Sequence, residues 1–185
     1  MSELSDEEML SLFRGAEPGE KSQAFNLIFR KYKESVYHLI RRMVIDHDDT
    51  DDLVQNTFVN IWNNLDKFRE ESKLYTWIYR IATNEALGFL KKKRRRFFLP
   101  INDVEAELSN KLTQLTWFNT NKVELKLQQA ILKLPPRQRL VFQLRYFDEM
   151  KYEDISSMLG TSAGALKASY HHAVNKVEKY MLDEQ

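Results

Sequence analysis

The chain has 185 residues, 43 % of them hydrophobic and 30 % charged, with a formal net charge of +1, a composition that fits one medium or two small soluble globular domains. It has no cysteine, which excludes disulfides and thiolate metal sites and suits a reducing cytosol. No apolar run approaches the about eighteen residues of a membrane span, and the acidic start MSELSDEEML lacks the order of a signal peptide, so a cytoplasmic protein is expected.

Five glycines and four prolines among many Leu, Lys, Glu, Gln and Ala favour helix throughout. After a short polar start with one brief helix around Asp6 to Phe13, an amphipathic helix is predicted from Ser22. Phe25, Ile28, Phe29, Tyr32, Val36, Leu39, Ile40 and Met43 recur there at three and four residues. Asp46 to Asp52 (DHDDTDD) then places five Asp in seven residues. A second helix starts inside this cluster, capped by Asp48, Asp49 or Thr50. Val54, Phe58, Ile61, Trp62 and Leu65 form its buried stripe, and Asp52, Gln55, Asn56 and Asn63 face outward.

Asp66 to Ser72 reads as a turn, and Ser72 to Arg96 as a long helix running into six consecutive basic residues. From Ser72 through Asn102 a single acid, Glu85, stands against eight Lys and Arg. At about 100° per residue, Lys73, Trp77, Arg80, Asn84, Gly88 and Lys91 share one stripe, while Leu74, Ile78, Ile81, Ala82 and Phe89 lie mostly opposite. Cations suit phosphates, an indole can stack on an unpaired base, and an amide can read a base edge. Two plainer readings stand beside this one: Trp77 as core, and the basic run as a solvated face. Glu85 falls among apolar positions and needs a partner.

Residues 100–121 have weak periodicity and read as a linker with at most a short helix, in which Trp117 and Phe118 are candidates for docking. A second domain begins at Lys122, where Val123, Leu127, Ala130, Ile131 and Leu134 form a stripe stopped by Pro135. Pro136 opens the next helix. Tyr152 to Leu159 makes a short helix, Gly160-Thr161-Ser162 a tight turn, and Ala163 onward a last helix. Its Leu166, Tyr170, Ala173 and Val177 face inward; Ala165, Ala168, Ser169, His172 and Lys176 face outward. This is the helix-turn-helix pattern, and no acid occurs between Asp154 and Glu178. Ser162 can cap the last helix and leave its N–H groups for a phosphate. A helical hairpin packing on its own domain is the alternative.

Catalytic signatures are missing: there is no Gly-rich phosphate loop, no GxSxG and no HExxH. His171 and His172 are adjacent and point about 100° apart, and the Asp cluster lacks the Gly and Glu of an EF-hand loop. Neither enzyme activity, nor a metal, nor a cofactor is expected.

The motifs DDLVQNTFVNIW (Asp51–Trp62), YTWIYRIATNEALGFLKKKRR (Tyr75–Arg95) and LPPRQRLVFQLRYFDEMKYEDISSMLGTSAGALKASYHHA (Leu134–Ala173) resemble regions 2 and 4 of an extracytoplasmic-function (ECF) sigma factor of the sigma-70 family. The likeness covers nearly the whole chain. It implies an all-α fold of two helical domains, a region 2 bundle over 1–98 and a region 4 helix-turn-helix over 122–185, joined by a flexible linker over 99–121. It implies core RNA polymerase and promoter DNA as partners, with region 2 opening and reading the −10 element and region 4 reading the −35 element. Family members are often sequestered by an anti-sigma protein, which joins the candidate partners; the free chain is expected to be a monomer.

Carried residue by residue, the resemblance puts polymerase contacts at Asp51, Asp52, Gln55 and Asn56. It puts −10 contacts at Lys67, Arg69, Ser72, Lys73, Trp77, Arg80, Asn84, Lys91, Arg94 and Arg95, with the loop from Lys67 to Ser72 capturing a flipped base. It puts −35 contacts at Ser162, Ala165, Lys167, Ala168, Ser169, His171, His172 and Lys176. Asn56 stands where the family often has an acid, which makes the polymerase contact less charged, and Gly88 where it often has Asp, at the end of the −10 helix. Ser169 and His172 stand where Arg is common, so the −35 preference is expected to be the chain's own. The competing reading is a stand-alone helix-turn-helix regulator with residues 1–97 as a partner-binding domain.

Overall fold

The computed structural model describes residues 4–17, 19–96, 108, 112 and 122–182, and every regular element among them is helical. Helix α1 (Asp6–Gly15) opens with a reciprocal cap in which the Glu8 N–H donates to Ser5 Oγ and the Ser5 N–H to Glu8 Oε2, so two otherwise orphaned donors are satisfied. The backbone and side-chain bonds to Ser5 hold the Glu8 carboxyl below its usual range. Helix α2 (Lys21–Val44) and helix α3 (His47–Asn64) are separated by a sharp corner at Ile45, whose φ is 65°.

That corner corrects the expected cap of α3. The capping side chain is Asp46, which accepts from the Asp49 N–H at 3.0 Å, rather than Asp48, Asp49 or Thr50. Once Ile45 turns left-handed, Asp46 becomes the extended residue before the first turn. Asp48 and Asp49 then lie within that turn, beside the positive end of the dipole.

A 3-10 turn (Leu65–Lys67) leads through a short loop to helix α4 (Leu74–Arg96). Ile28, Leu39 and Ile40 of α2, Ile61 of α3 and Ile78 of α4 are fully buried, and Phe13 of α1 closes one end. Trp62 departs from the expected buried stripe. It is 37 % exposed, because its ring stands edge-on to Phe13 and Phe25 at the rim of the bundle. Glu85 finds its partner in Asn60, whose Nδ2 donates to it at 3.2 Å.

The second unit comprises α5 (Lys122–Leu132), α6 (Pro136–Tyr146), α7 (Tyr152–Leu159) and α8 (Ala163–Leu182). Pro135 and Pro136 break α5 from α6, and the buried Arg139 turns back to donate to the carbonyls of Leu132 and Leu134. It thereby satisfies acceptors that the end of α5 exposes. Gly160, at φ 63°, ends α7 in the left-handed conformation where glycine carries no steric cost.

The interior does not stop between the units. Leu140, Val141, Leu144, Met150, Ile155 and Met158 belong to one apolar cluster with Ile78, Ala82 and the rest of the first bundle. Within the stretch expected to be a loose linker, Leu108 and Leu112 occupy helical positions and are buried with Ile45 and Leu132. Trp117 and Phe118 lie outside the described residues. No helix among the described residues is long and apolar enough to cross a membrane.

Candidate nucleic-acid and protein interfaces

Helix α3 packs Leu53, Val54, Phe58 and Ile61 inward, which forces the intervening positions out. Asp51, Asp52, Gln55, Asn56 and Asn63 are exposed, with Val59 among them at 53 %. Asp51 lies 3.1 Å from His47 Nδ1, one turn earlier on the same helix. Sequence reading passed over Val59; its signal was the outward register it shares with Asp52 and Asn56. At the other end Lys93, near the close of α4, pairs with Asp49 at 3.6 Å, so the basic helix returns to the acidic cluster. Among the described residues, no group of three or more His, Asp or Glu is placed to hold a metal ion.

The loop before α4 and the front of α4 meet in one cleft of about 510 Å3, lined by Lys67, Phe68, Arg69, Glu71, Ser72, Trp77 and Arg80. Five of those are residues the sequence had singled out. Trp77 is half-buried, its ring 5.1 Å from that of Phe68 and tilted 39° to it. It both touches the core and lines the cleft, which joins the two readings that the sequence left open for it. Farther along, Asn84, Lys91 and Arg95 are exposed on the helix; the Arg94 side chain lies outside the described residues. The arrangement offers an aromatic wall, flanking cations and hydroxyl and backbone groups, the equipment for holding an unpaired base and its phosphate.

The far wall of the cleft is not from this bundle. It is Ser157 of α7, whose carbonyl accepts from Arg80 Nη2 at 2.9 Å. Lys73 Nζ pairs with Asp154 of α7 at 3.3 Å, and the Tyr75 hydroxyl also donates to Asp154. Behind α7, Arg42 of α2 forms a doubled contact with Asp148 at 2.7 and 2.6 Å, and Gln143 Nε2 donates to the Arg42 carbonyl at 3.0 Å. Tyr79 adds a bond to Asp148 at 3.3 Å. Burial and Asp154 push the Tyr75 hydroxyl up to about 12, and burial with Asp148 raises Tyr79 as well. Both phenols therefore stay protonated donors at neutral pH. Burial raises the Asp148 carboxyl, against the pull of Arg42 and Tyr79.

The strengths of these contacts differ. Lys73 is 58 % exposed, and exposed pairs are worth about 0–1 kcal/mol. Asp148 and Arg42 are 8 % and 17 % exposed, where the cost of desolvation consumes much of the attraction. Leu144 and Ile155 lie in the apolar cluster that runs through both units, so apolar burial adds to the cohesion, and the polar contacts fix its register.

The helix-turn-helix surface lies elsewhere. The Ser162 hydroxyl accepts from the Ala165 N–H at 3.3 Å, as a cap should. Ala165, Lys167, Ala168, His171, His172 and Lys176 are exposed and Ser169 half-exposed, with Leu166, Ala173 and Val177 buried behind them. Lys176 Nζ meets Gln138 Oε1 at 3.0 Å, and His171 meets Asn175 at 3.3 Å. Arg137 of α6 donates to Thr161 Oγ1 in the turn at 2.6 Å, bringing a cation that sequence reading overlooked beside the start of α8.

Comparison with known proteins gives two family matches, Sigma-70 region 2 over residues 28–96 and Sigma-70 region 4 over residues 124–177. The chain is 32 % identical to the ECF RNA polymerase sigma factor SigW of Bacillus subtilis, over 86 % of this chain and 90 % of that protein. It is 30 % identical to the RNA polymerase sigma-H factor of Pseudomonas aeruginosa, over 95 % of each. Among solved structures it is similar to the sigma factor RpoE in complex with the anti-sigma factor NepR from Bartonella quintana. That match has a TM-score of 0.67 at 20 % identity and covers 88 % of this chain and 99 % of that one. It is also similar to CnrH in complex with the cytosolic domain of CnrY, with a TM-score of 0.65 at 21 % identity, covering 92 % and 93 %.

Proposed function

The chain belongs to the ECF sigma factors of the sigma-70 family, and from that premise we infer how its surfaces divide the work of promoter-specific transcription initiation. The protein directs RNA polymerase to promoters; the phosphodiester chemistry belongs to the core enzyme, and the place of action is the cytoplasm. Asp51, Asp52, Gln55 and Asn56 on the exposed face of α3 dock on core polymerase. Lys67, Arg69, Ser72, Lys73, Trp77, Arg80, Asn84, Lys91, Arg94 and Arg95 open and hold the −10 strand. Ser162, Ala165, Lys167, Ala168, Ser169, His171, His172 and Lys176 address the −35 duplex.

The observation that carries this assignment is the single cleft shared by the loop Lys67 to Ser72, Trp77 and Arg80. Separated strands expose base faces, and a duplex does not. A stacking wall between cations therefore suits melted DNA, while a helix with small outer residues suits an intact major groove. The two surfaces cover different steps of one process.

In the arrangement described, Arg80 Nη2 and Lys73 Nζ are bonded to α7, so part of their donor capacity is turned away from a phosphate. Freeing it for strand capture therefore requires region 4 to leave region 2, and docking on core polymerase is the step that separates them. The similar solved sigma factors are in complex with CnrY and NepR, which makes an anti-sigma protein the candidate third partner.

The test is run-off transcription with purified core polymerase on a library of promoter fragments. The expected result is initiation that depends on this protein and clusters at fragments sharing two spaced elements. Tight duplex binding as a dimer without polymerase, and no initiation with it, would instead mean a stand-alone helix-turn-helix regulator.

A further inference from the structure

Helix α1 lies outside the stretch matched to sigma-70 region 2, yet one of its side chains reaches the loop that frames the cleft. Arg14, in the last turn of α1, donates through Nη2 to the Phe68 carbonyl at 2.6 Å and through Nη1 to the Glu70 carboxylate. The two anchored positions flank Arg69. Glu70 sits at φ 56°, a left-handed conformation that a non-glycine residue holds only when its surroundings impose it. A planar guanidinium satisfying two acceptors at once is such an imposition.

The anchor is itself independently fixed. Its neighbour Phe13 is 1 % exposed and packs on Phe25 and Trp62, so the core, not Arg14, sets where α1 lies. A second tether holds the near side of the loop, where Lys21 Nζ meets Asp66 at 2.9 Å. Phe68 carries the effect onward: its carbonyl is held by Arg14 while its ring backs Trp77. One contact thus shapes the loop and supports the stacking wall.

Resting on the function proposed above, we propose that Arg14 is a positioning residue for promoter opening. It holds the loop Lys67 to Ser72 in the conformation that receives an unpaired base beside Trp77 and Arg80. The side chains of Arg14 and Glu70 are 39 % and 49 % exposed, so the pair adds little to global stability, and its effect on opening can be separated from folding.

The experiment compares Arg14→Ala and Arg14→Lys with the unaltered full chain, each bound to core polymerase. It follows promoter opening by the fluorescence of 2-aminopurine placed in the −10 element, alongside polymerase affinity and thermal stability. Opening is expected to slow a few-fold in both variants, the scale of losing a half-exposed charged contact, with affinity and melting temperature unchanged. Lysine fails with alanine because a single ammonium does not reproduce the two-pronged geometry. Unchanged opening in Arg14→Ala, full activity in Arg14→Lys, or a parallel fall of affinity and melting temperature each overturns the proposal. Failure of the unaltered chain to initiate would count against the proposed function instead.

Discussion

Along α8, Ala165, Lys167, Ala168, His171, His172 and Lys176 stand exposed, whereas along α4 the side chains of Lys73 and Arg80 are bonded to α7 and Trp77 is half-buried. On the proposed division of work, the open surface meets B-form DNA, whose groove is always present. The cleft beside α7, on the same proposal, meets bases that are exposed only after strands part. An aromatic and cationic cleft suits any single strand, and here α7 forms its far wall and bonds two of its cations, so on the proposed function moving α7 widens access to it. On that proposal the two faces differ in timing as well as in target.

The strongest way to break that comparison is to prevent the rearrangement. The chain has no cysteine, so Lys73→Cys with Ser157→Cys can be joined by a short bis-maleimide without side reactions. Joining should slow promoter opening by about 100-fold or more relative to the same variant unlinked, since a locked chain has almost no competent population. Binding to −35 duplex should change little. Equal opening by the linked and unlinked protein would mean that α7 does not obstruct the cleft.

Removing the stacking wall comes next. A base on an aromatic ring is worth about 1–3 kcal/mol, so Trp77→Ala should slow opening roughly 5- to 150-fold while polymerase affinity holds. Loss of affinity and of melting temperature together would reduce Trp77 to a core residue. On the open face, Lys176→Ala should weaken −35 duplex binding and lower its salt slope by about one, with no effect on strand separation once polymerase is bound.

The smallest effect is a dependence of closure on pH. Asp148 has its carboxyl raised by burial in the closed state, so closing takes up a proton and ionisation opposes it. Closure should tighten as pH falls from neutral through the raised value, and level off once Asp148 is protonated in the open state too. Transfer between fluorophores on the two units reports this directly, and Asp148→Asn should flatten the profile.

How much of this was legible in the sequence follows from the range of each interaction. The stripe of α2, the turn at Gly160 and the outward face of α8 are set by neighbours three and four residues apart, which periodicity displays. The cap of α3 was misplaced by two to four positions because Ile45, a β-branched residue, takes the left-handed conformation that composition argues against. Trp62 was placed in the buried stripe with Phe58, four residues before it, yet it lies at a rim. The contacts of Arg42 with Asp148 and of Arg14 with Phe68 span 106 and 54 positions and leave no periodic trace. The cleft residues were therefore readable from the chain, while its cover and its tether needed the fold.

The most direct test of the central claim is the distance between the two units, read by fluorescence transfer between a label on the exposed face of α2 and one on the outer face of α8. High transfer in the free protein, falling when core polymerase binds and staying low when promoter DNA is added, is the predicted result. Transfer that is the same in the free and polymerase-bound protein would contradict it.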